Sequence, residues 1–360
     1  MIKITKVAAI CNLGNNLDEI FHNILSAKLT EFKISSTLPQ INDEKFNLRC
    51  NQLLLHCINQ IKPDINTFIK RYNPQKIATV IATTNTGIDR FEETGNKKFL
   101  SMSNPAEFVK SHLGLDGATY GISTACSSGI KAFSTAKRLI ESEICDAAIV
   151  GGTDELSKFP LAGFKSLEVL SAKRSNPFSK NRCGMNISES AAIFLVEKEG
   201  DGINILGIGE TSDAYHEATP NPEGTQAIRA ITMALNEANL EPNDIDYINL
   251  HGTGTIANDL MEGNAISKVF GNIPPASSTK PLTGHCLGAA ASIEVAICFA
   301  LLKNNQNILP PHIYDGEYDT AIPKINLVLP NTRAEKIKYI MCNAFGFSGT
   351  NAVMIMGKQK

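Results

Sequence analysis

Ser123-Thr124-Ala125-Cys126-Ser127-Ser128-Gly129 sets a thiol among small residues at a junction of two patterns. Before it, residues 120–125 read as a strand. After it, Ile130, Phe133, Ala136, Leu139 and Ile140 recur at helical spacing. A cysteine at such a junction sits at a helix N-terminus, where unpaired backbone N–H groups and the macrodipole favour a thiolate and can hold an oxyanion. Cysteines in small-residue turns are more often structural than nucleophilic, so the assignment depends on the rest of the chain. Outward from this stretch, strand-like and helix-like runs alternate. Residues 1–11, 77–82 and 147–152 read as strands, the last stopped by Gly151-Gly152. Residues 226–238 form an amphipathic helix ended near Pro242, 245–250 a strand ending at His251, and 288–302 an apolar helix. Residues 339–343 and 352–356 read as closing strands. This alternation predicts an α/β layered protein with largely buried sheets.

The chain has 360 residues, 43% hydrophobic and 19% charged, with a net charge of −2. That length suits two closely packed halves, and that composition argues against disorder. The near-neutral charge excludes a whole-protein attraction to nucleic acid. No window supplies the ~18 apolar residues of a membrane span; the best, 291–302, is short and interrupted by Glu294. The first residues lack the basic and apolar regions of a signal peptide. Nine cysteines without a CxxC pair, at positions that complete no zinc site, point to a reducing, cytoplasmic setting.

Three further loops at strand ends carry chemistry. Asn249-Leu250-His251-Gly252-Thr253-Gly254-Thr255 and Ser278-Thr279-Lys280-Pro281-Leu282-Thr283-Gly284-His285 each place a histidine in a glycine-containing turn. Two such histidines and a junction cysteine favour one shared site. Gly252 and Gly254 would also suit a phosphate cradle, but the Walker spacing is missing. Asn343-Ala344-Phe345-Gly346-Phe347-Ser348-Gly349-Thr350-Asn351 combines flexible backbone with two aromatic rings able to cover an apolar pocket.

Together with Gly163-Phe164, Leu170-Ser171, Asn176-Pro177-Phe178, Arg182, Gly184 and 212–216, these loops resemble the β-ketoacyl-[acyl-carrier-protein] synthases, condensing enzymes of the thiolase superfamily. The resemblance runs over nearly the whole chain. It implies a duplicated thiolase-like fold, a five-layered α-β-α-β-α sandwich. Its first half (1–198) carries the nucleophile and its second (199–360) the two histidines. Cys126, His251 and His285 match the family triad, Lys280 its lysine, and Asp259 and Glu262 its acidic residues. Lys280 is expected to pair with Glu262 or Asp259. The amides of Cys126 and Phe347 would form the oxyanion hole, with Phe347 also a gate, and Phe164, Phe345 and Phe347 would wall the acyl pocket.

The resemblance further implies a decarboxylative Claisen condensation. An acyl chain passes from the 4′-phosphopantetheine arm of an acyl carrier protein to Cys126, and malonyl-carrier protein then supplies two carbons. No metal or bound cofactor is called for. The partners implied are acyl- and malonyl-loaded carrier protein, with a homodimer or a heterodimer containing a chain-length-factor-like subunit.

Several positions depart from the family: Asn258 and Ser348 stand for glycines, and Ser190 interrupts the run around Glu189. The chain is also short between Thr84 and Tyr120, a region that helps wall the acyl pocket. Near Arg49 it carries Cys50-Asn51-Gln52 where fatty-acid synthases present basic residues, and this resembles synthases of the aryl polyene type. Carrier docking is therefore expected at Lys173, Arg174 and Lys180, with Arg49 contributing less.

Two alternatives are a non-catalytic chain-length factor and a thiolase acting on acyl-coenzyme A. The first usually lacks the nucleophile retained here as Cys126. The second would use a second cysteine near Cys342, but thiolases lack the His-Gly-Thr-Gly-Thr form.

Overall fold

The computed structural model describes residues 1–304 and 306–358. Among these residues ten strands form: β1 (Lys3–Cys11), β2 (Ile77–Ala82), β3 (Thr119–Ile122), β4 (Ala147–Asp154), β5 (Ser190–Glu197), β6 (Ile203–Ser212), β7 (Tyr247–Asn249), β8 (Ala276–Ser277), β9 (Tyr339–Gly346) and β10 (Thr350–Gly357). The first five pair in the order β3-β2-β4-β5-β1, and the second five, from their far edge, in the order β8-β7-β9-β10-β6. Pairing directions repeat as well. β2 is parallel to β3 and β4, with β4-β5 and β5-β1 antiparallel. Likewise β7 is parallel to β8 and β9, with β9-β10 and β10-β6 antiparallel. One folding pattern thus occurs twice, and the copies meet where Ile4 of β1 pairs with Ile203 of β6.

The helices are α1 (Leu17–Leu25), α2 (Arg49–Gln60), α3 (Lys62–Arg71), α4 (Ile88–Thr94), α5 (Asn104–Leu113), α6 (Ser128–Glu141), α7 (Lys158–Ser166), α8 (Thr225–Ala238), α9 (Ile256–Val269), α10 (Lys280–Thr283) and α11 (Ala290–Lys303). Strand alternation sorts them into layers. On β2, Ile77 and Ile81 face an outer core with Leu54 of α2, Phe68 of α3 and Val109 of α5. Ala78, Val80 and Ala82 face a central core shared with Ile20 of α1, Phe133 of α6 and Ile297 of α11. On β9, Ile340, Cys342 and Ala344 meet that same central core from the other half of the sheet. Tyr339 and Met341 face a second outer core with Ile231 of α8 and Ile266 of α9. The result is five layers, α-β-α-β-α.

The middle layer explains α11. Residues 290–302 are all buried, so the helix is apolar on every side. Glu294 within it needs a partner. Two helices of the central layer also approach closely. A Cβ on Gly129 of α6 would come within 2.6 Å of Ser292 N on α11, so only glycine fits there. That contact draws the start of α6 toward the loop before α11.

Some expectations shift in detail. β3 stops at Ile122 rather than continuing to 125, because Thr124 N turns to Ser128 Oγ and Ala125 takes a φ of 51°. On α2, Asn51 is buried and donates to Phe46 O and Asn104 Oδ1. Among the described residues, no helix is long and apolar enough to cross a membrane.

Candidate active site

Cys126 lies two residues before α6, in a turn pinned by its own serines. Ser127 Oγ donates to Thr124 O at 2.7 Å and Ser128 Oγ to Ala125 O at 2.6 Å. Ala125 is left-handed, so the thiol is presented from a sharp strand-to-helix corner. His251 follows β7. Glu262, on α9, holds it by accepting His251 N at 2.8 Å and Gly252 N at 2.7 Å. His285 follows α10 and is held by backbone alone: its N–H donates to Asn186 O and its carbonyl accepts Ser188 N.

These loops converge. His285 Nε2 is 3.0 Å from Cys126 Sγ, and the two imidazoles meet edge to face at 5.5 Å. One donor atom from each of Cys126, His251 and His285 lies within 4.8 Å of the others. Lys280 Nζ donates to His251 O at 2.6 Å and lies 3.3 Å from His251 Nδ1. An ammonium can only donate, so Nδ1 accepts and the His251 proton is on Nε2, facing the site. His285 Nδ1 meets no protein partner among the described residues, so that ring is free to take either tautomer.

Burial, reinforced by the Lys280 charge, pulls the pKa of both histidines well below the ordinary value. Both are therefore neutral at physiological pH, so each ring has one N–H to donate and one nitrogen to accept. The thiol departs from the expectation of a favoured thiolate. Burial pushes Cys126 up to about 11, outweighing the Lys280 charge and the amides of Phe347 and Cys126 that point at the sulfur. The resting nucleophile is therefore a thiol whose proton has an acceptor 3.0 Å away in His285.

Lys280 corrects a second expectation. Its buried ion pair is with Glu294 of α11, not with Glu262 or Asp259. Those two acids have other partners, backbone amides first, and Asp259 also faces Arg182 Nε at 3.8 Å. Glu262 takes the two amides above and Asn343 Nδ2, and Asp259 takes Phe178 N at 2.9 Å and Gly254 N at 3.2 Å. Burial lifts Asp259 to about 6 and Glu262 to about 7. The sequence did carry a signal for Glu294: it is the lone acid in an apolar helix.

The triad opens into a pocket of about 410 Å³, walled by Phe345 and Phe347 and reaching past Thr253, Thr255 and Cys183. Phe164 is not in that wall. It stacks on the Phe347 ring at 5.6 Å and backs it from outside. Ser348, one of the departures, sits at φ 62° with its N–H on Glu217 O, so the Phe347 turn holds a non-glycine residue in glycine-favouring backbone. Cys342 and Cys286 are fully buried and outside the pocket, which leaves a thiolase-type second cysteine without a site.

The cations expected at a docking surface are differently placed. Arg49 makes a two-pronged bond to buried Glu189, at 2.6 and 2.7 Å, which takes up its charge. Arg174 donates to Pro281 O and Thr30 O and lies over the Phe32 ring, so it ties loops together. Lys180 is exposed but paired with Glu317 at 2.6 Å. Lys173 is exposed and, among the described residues, forms no ion pair.

Known proteins match this picture. The N-terminal domain model of the β-ketoacyl synthases covers residues 74–201, and the C-terminal domain model covers residues 203–314. Nodulation protein E of Rhizobium leguminosarum bv. trifolii is 37% identical over 265 residues, 70% of this chain and 64% of that protein, so the match spans just under two thirds of it. The 3-oxoacyl-[acyl-carrier-protein] synthase 2 of Coxiella burnetii is 30% identical across 99% of this chain and 98% of its own. Among solved structures, the ketosynthase ApeO, in complex with its chain length factor ApeC from Xenorhabdus doucetiae, aligns at TM-score 0.94. It is 36% identical, covering 99% of this chain and 98% of that one. A twice-repeated α/β sheet, a corner cysteine and two neutral histidines thus coincide with end-to-end sequence likeness, and the chain belongs to the β-ketoacyl synthase family of condensing enzymes.

Proposed function

We propose that the protein elongates acyl chains carried by an acyl carrier protein, in a specialised pathway of the aryl polyene type. It would act in the cytoplasm as the catalytic subunit of a dimer whose second member is a chain-length-factor-like protein. The observation that carries the chemistry is the 3.0 Å approach of His285 Nε2 to the Cys126 thiol, with His251 held as an Nε2–H donor beside it. The likeness to a ketosynthase found with its chain length factor supports the choice of partner over a homodimer.

In the first half-reaction, Sγ attacks the thioester carbonyl of the acyl-pantetheine arm as its proton passes to His285. The oxyanion forms against the amides of Cys126 and Phe347, which already face the sulfur. Collapse releases the pantetheine thiolate, which takes the proton back. In the second, the malonyl thioester loses carbon dioxide, and its C–C bonding electrons become an enolate. The enolate oxygen accepts from His251 Nε2–H and from His285 once exchange with solvent has moved its proton from the unpartnered Nδ1 to Nε2. The enolate carbon then attacks the Cys126 thioester and expels the cysteine sulfur as a thiolate, which takes up a solvent proton, extending the chain by two carbons. Lys280 keeps His251 in the donating tautomer and adds to the burial that keeps both rings neutral at rest.

For carrier docking the proposal rests chiefly on Lys173, the exposed one of the four expected cations that forms no ion pair among the described residues; Arg174 has no counter-charge either but is spent on two backbone carbonyls and the Phe32 ring. The direct test is to offer acyl- and malonyl-carrier protein to the purified chain, alone and with a chain-length-factor-like partner, and to follow acylation by mass spectrometry. Acyl mass on Cys126 and a two-carbon-longer product are expected. Acylation from coenzyme A alone, or on another cysteine, would refute the reading.

A further inference from the structure

His312 lies outside the pocket, buried to 3% exposure, in the segment after α11. Both ring nitrogens are engaged. Ser278 N–H donates to Nδ1 at 3.1 Å, and Nε2 donates to Pro177 O at 3.0 Å. Only the neutral Nε2–H tautomer can make both bonds, since an imidazolium cannot accept. Burial holds its pKa down at about 4, and edge-to-face contacts with Phe178 and Tyr314 fix the ring plane.

The two groups it joins lead directly to the site. Ser278 Oγ donates to Gly252 O at 2.7 Å, one residue past His251, and accepts Lys280 N at 3.3 Å. One serine therefore sets the spacing between the His251 turn and the start of the Lys280 turn. Pro177 precedes Phe178, whose N–H is on Asp259, and the other Asp259 oxygen takes Gly254 N. The imidazole thus ties the wall segment at 176–184 to both histidine-bearing turns.

We infer that His312 is a positioning residue of the condensation site: by accepting the Ser278 amide it registers Lys280 against His251. This rests on the reading above, in which His251 serves the malonyl half-reaction and the His285–Cys126 pair serves acyl loading. A ring that merely filled space would affect both half-reactions through stability. A ring that registers Lys280 on His251 affects the malonyl step alone.

Two variants separate these roles. In His312→Asn the amide oxygen can stand where Nδ1 stands and keep the Ser278 bond. In His312→Gln the longer amide reaches the Nε2 position and leaves the Ser278 amide without its acceptor. Malonyl-carrier decarboxylation should stay within ~3-fold of the parent in His312→Asn. It should fall ~10–100-fold in His312→Gln, the usual range for a lost supporting partner or a small misplacement. Acyl loading of Cys126 should stay within ~2-fold of the parent in both. Should His312→Gln fail to fold, Ser278→Ala, which cuts the same tie at the Gly252 end, should show the same split. Equal decarboxylation in the two amide variants, or loading that falls in step with decarboxylation, would overturn the inference. A parent protein that decarboxylates no malonyl-carrier would instead refute the proposed function, and this inference with it.

Discussion

Removing the Glu294 carboxylate tests whether Lys280 is held as a charge. Both side chains are about 1% exposed, so neither ion is stabilised by water. Glu294→Gln would leave the ammonium with His251 O and Nδ1 as its remaining polar neighbours at the site. Breaking a buried pair by removing one partner typically costs ~3–5 kcal/mol, because an uncompensated charge remains. Replacing both ions with apolar residues of similar size is often neutral or stabilising for the same reason. Glu294→Gln and Lys280→Met should therefore each destabilise the fold strongly. The double variant Lys280→Met/Glu294→Leu should be more stable than either single change, a coupling of several kcal/mol in a double-mutant cycle. Activity should behave oppositely, because without the ammonium nothing fixes the His251 tautomer. Malonyl decarboxylation should stay low in the double variant while stability returns. Guanidinium unfolding followed by fluorescence and circular dichroism, with carbon dioxide release as the kinetic assay, reads both. Additive destabilisation in the double variant would show that the pair is not buried as an ion pair, and recovered decarboxylation would show that Lys280 does not act through His251.

Cys126→Ala should abolish acyl loading and condensation with the midpoint of unfolding nearly unchanged, and residual condensation would refute its role. Under brief alkylation, exposed Cys183 and pocket-lining Cys126 should be the labelled thiols. Prior acylation should protect Cys126 alone, and label on Cys286 or Cys342 would contradict their burial. Because both active-site histidines have pKa values well below the ordinary 6.5, falling pH should not protonate them near that value. Decarboxylation should show no histidine limb centred there, and a loss of rate with a midpoint at 6.5 that His251→Ala removes would show an ordinary, charged imidazole. Lys173→Glu should weaken carrier-protein binding most at low salt, where exposed charges are least screened, with little change in stability. Equal affinity at low salt would move docking elsewhere.

The elements that could be read from the sequence are those whose pattern is local. β2, the amphipathic face of α6 and the closing strands β9 and β10 each follow from a run of residues whose apolar spacing survives in the fold. The three catalytic side chains could be read because each stands in a loop beside glycine or other small residues, Cys126 and His251 after strands and His285 after the short α10, and three such loops together are harder to explain as structure than any one alone. Their convergence came from family resemblance, since contacts such as Cys126 to His285, 159 residues apart, leave no local trace.

Partner choice among buried charges was the harder problem, and Lys280 shows why. Asp259, Glu262 and Glu294 are all buried acids, and the first two stand in the helix after the His251 turn, the more obvious place to look. What decides between them is backbone supply. The glycine-rich turns at 251–254 release amides that Asp259 and Glu262 accept, and Asp259 also has the Arg182 guanidinium 3.8 Å away, so neither carboxylate needs Lys280. Glu294, in mid-helix and surrounded by alanine, isoleucine and valine, has no free amide near it and requires an ammonium. Arg49 misleads in a different way: a cation at the start of α2 reads as a surface charge until buried Glu189, before β5, is seen to accept it on both oxygens alongside the Ile34 amide. For Lys280, the lone acid in an otherwise apolar helix is therefore the better sequence signal than the acids near the glycine-rich turn, which have the turn's amides and, for Asp259, Arg182.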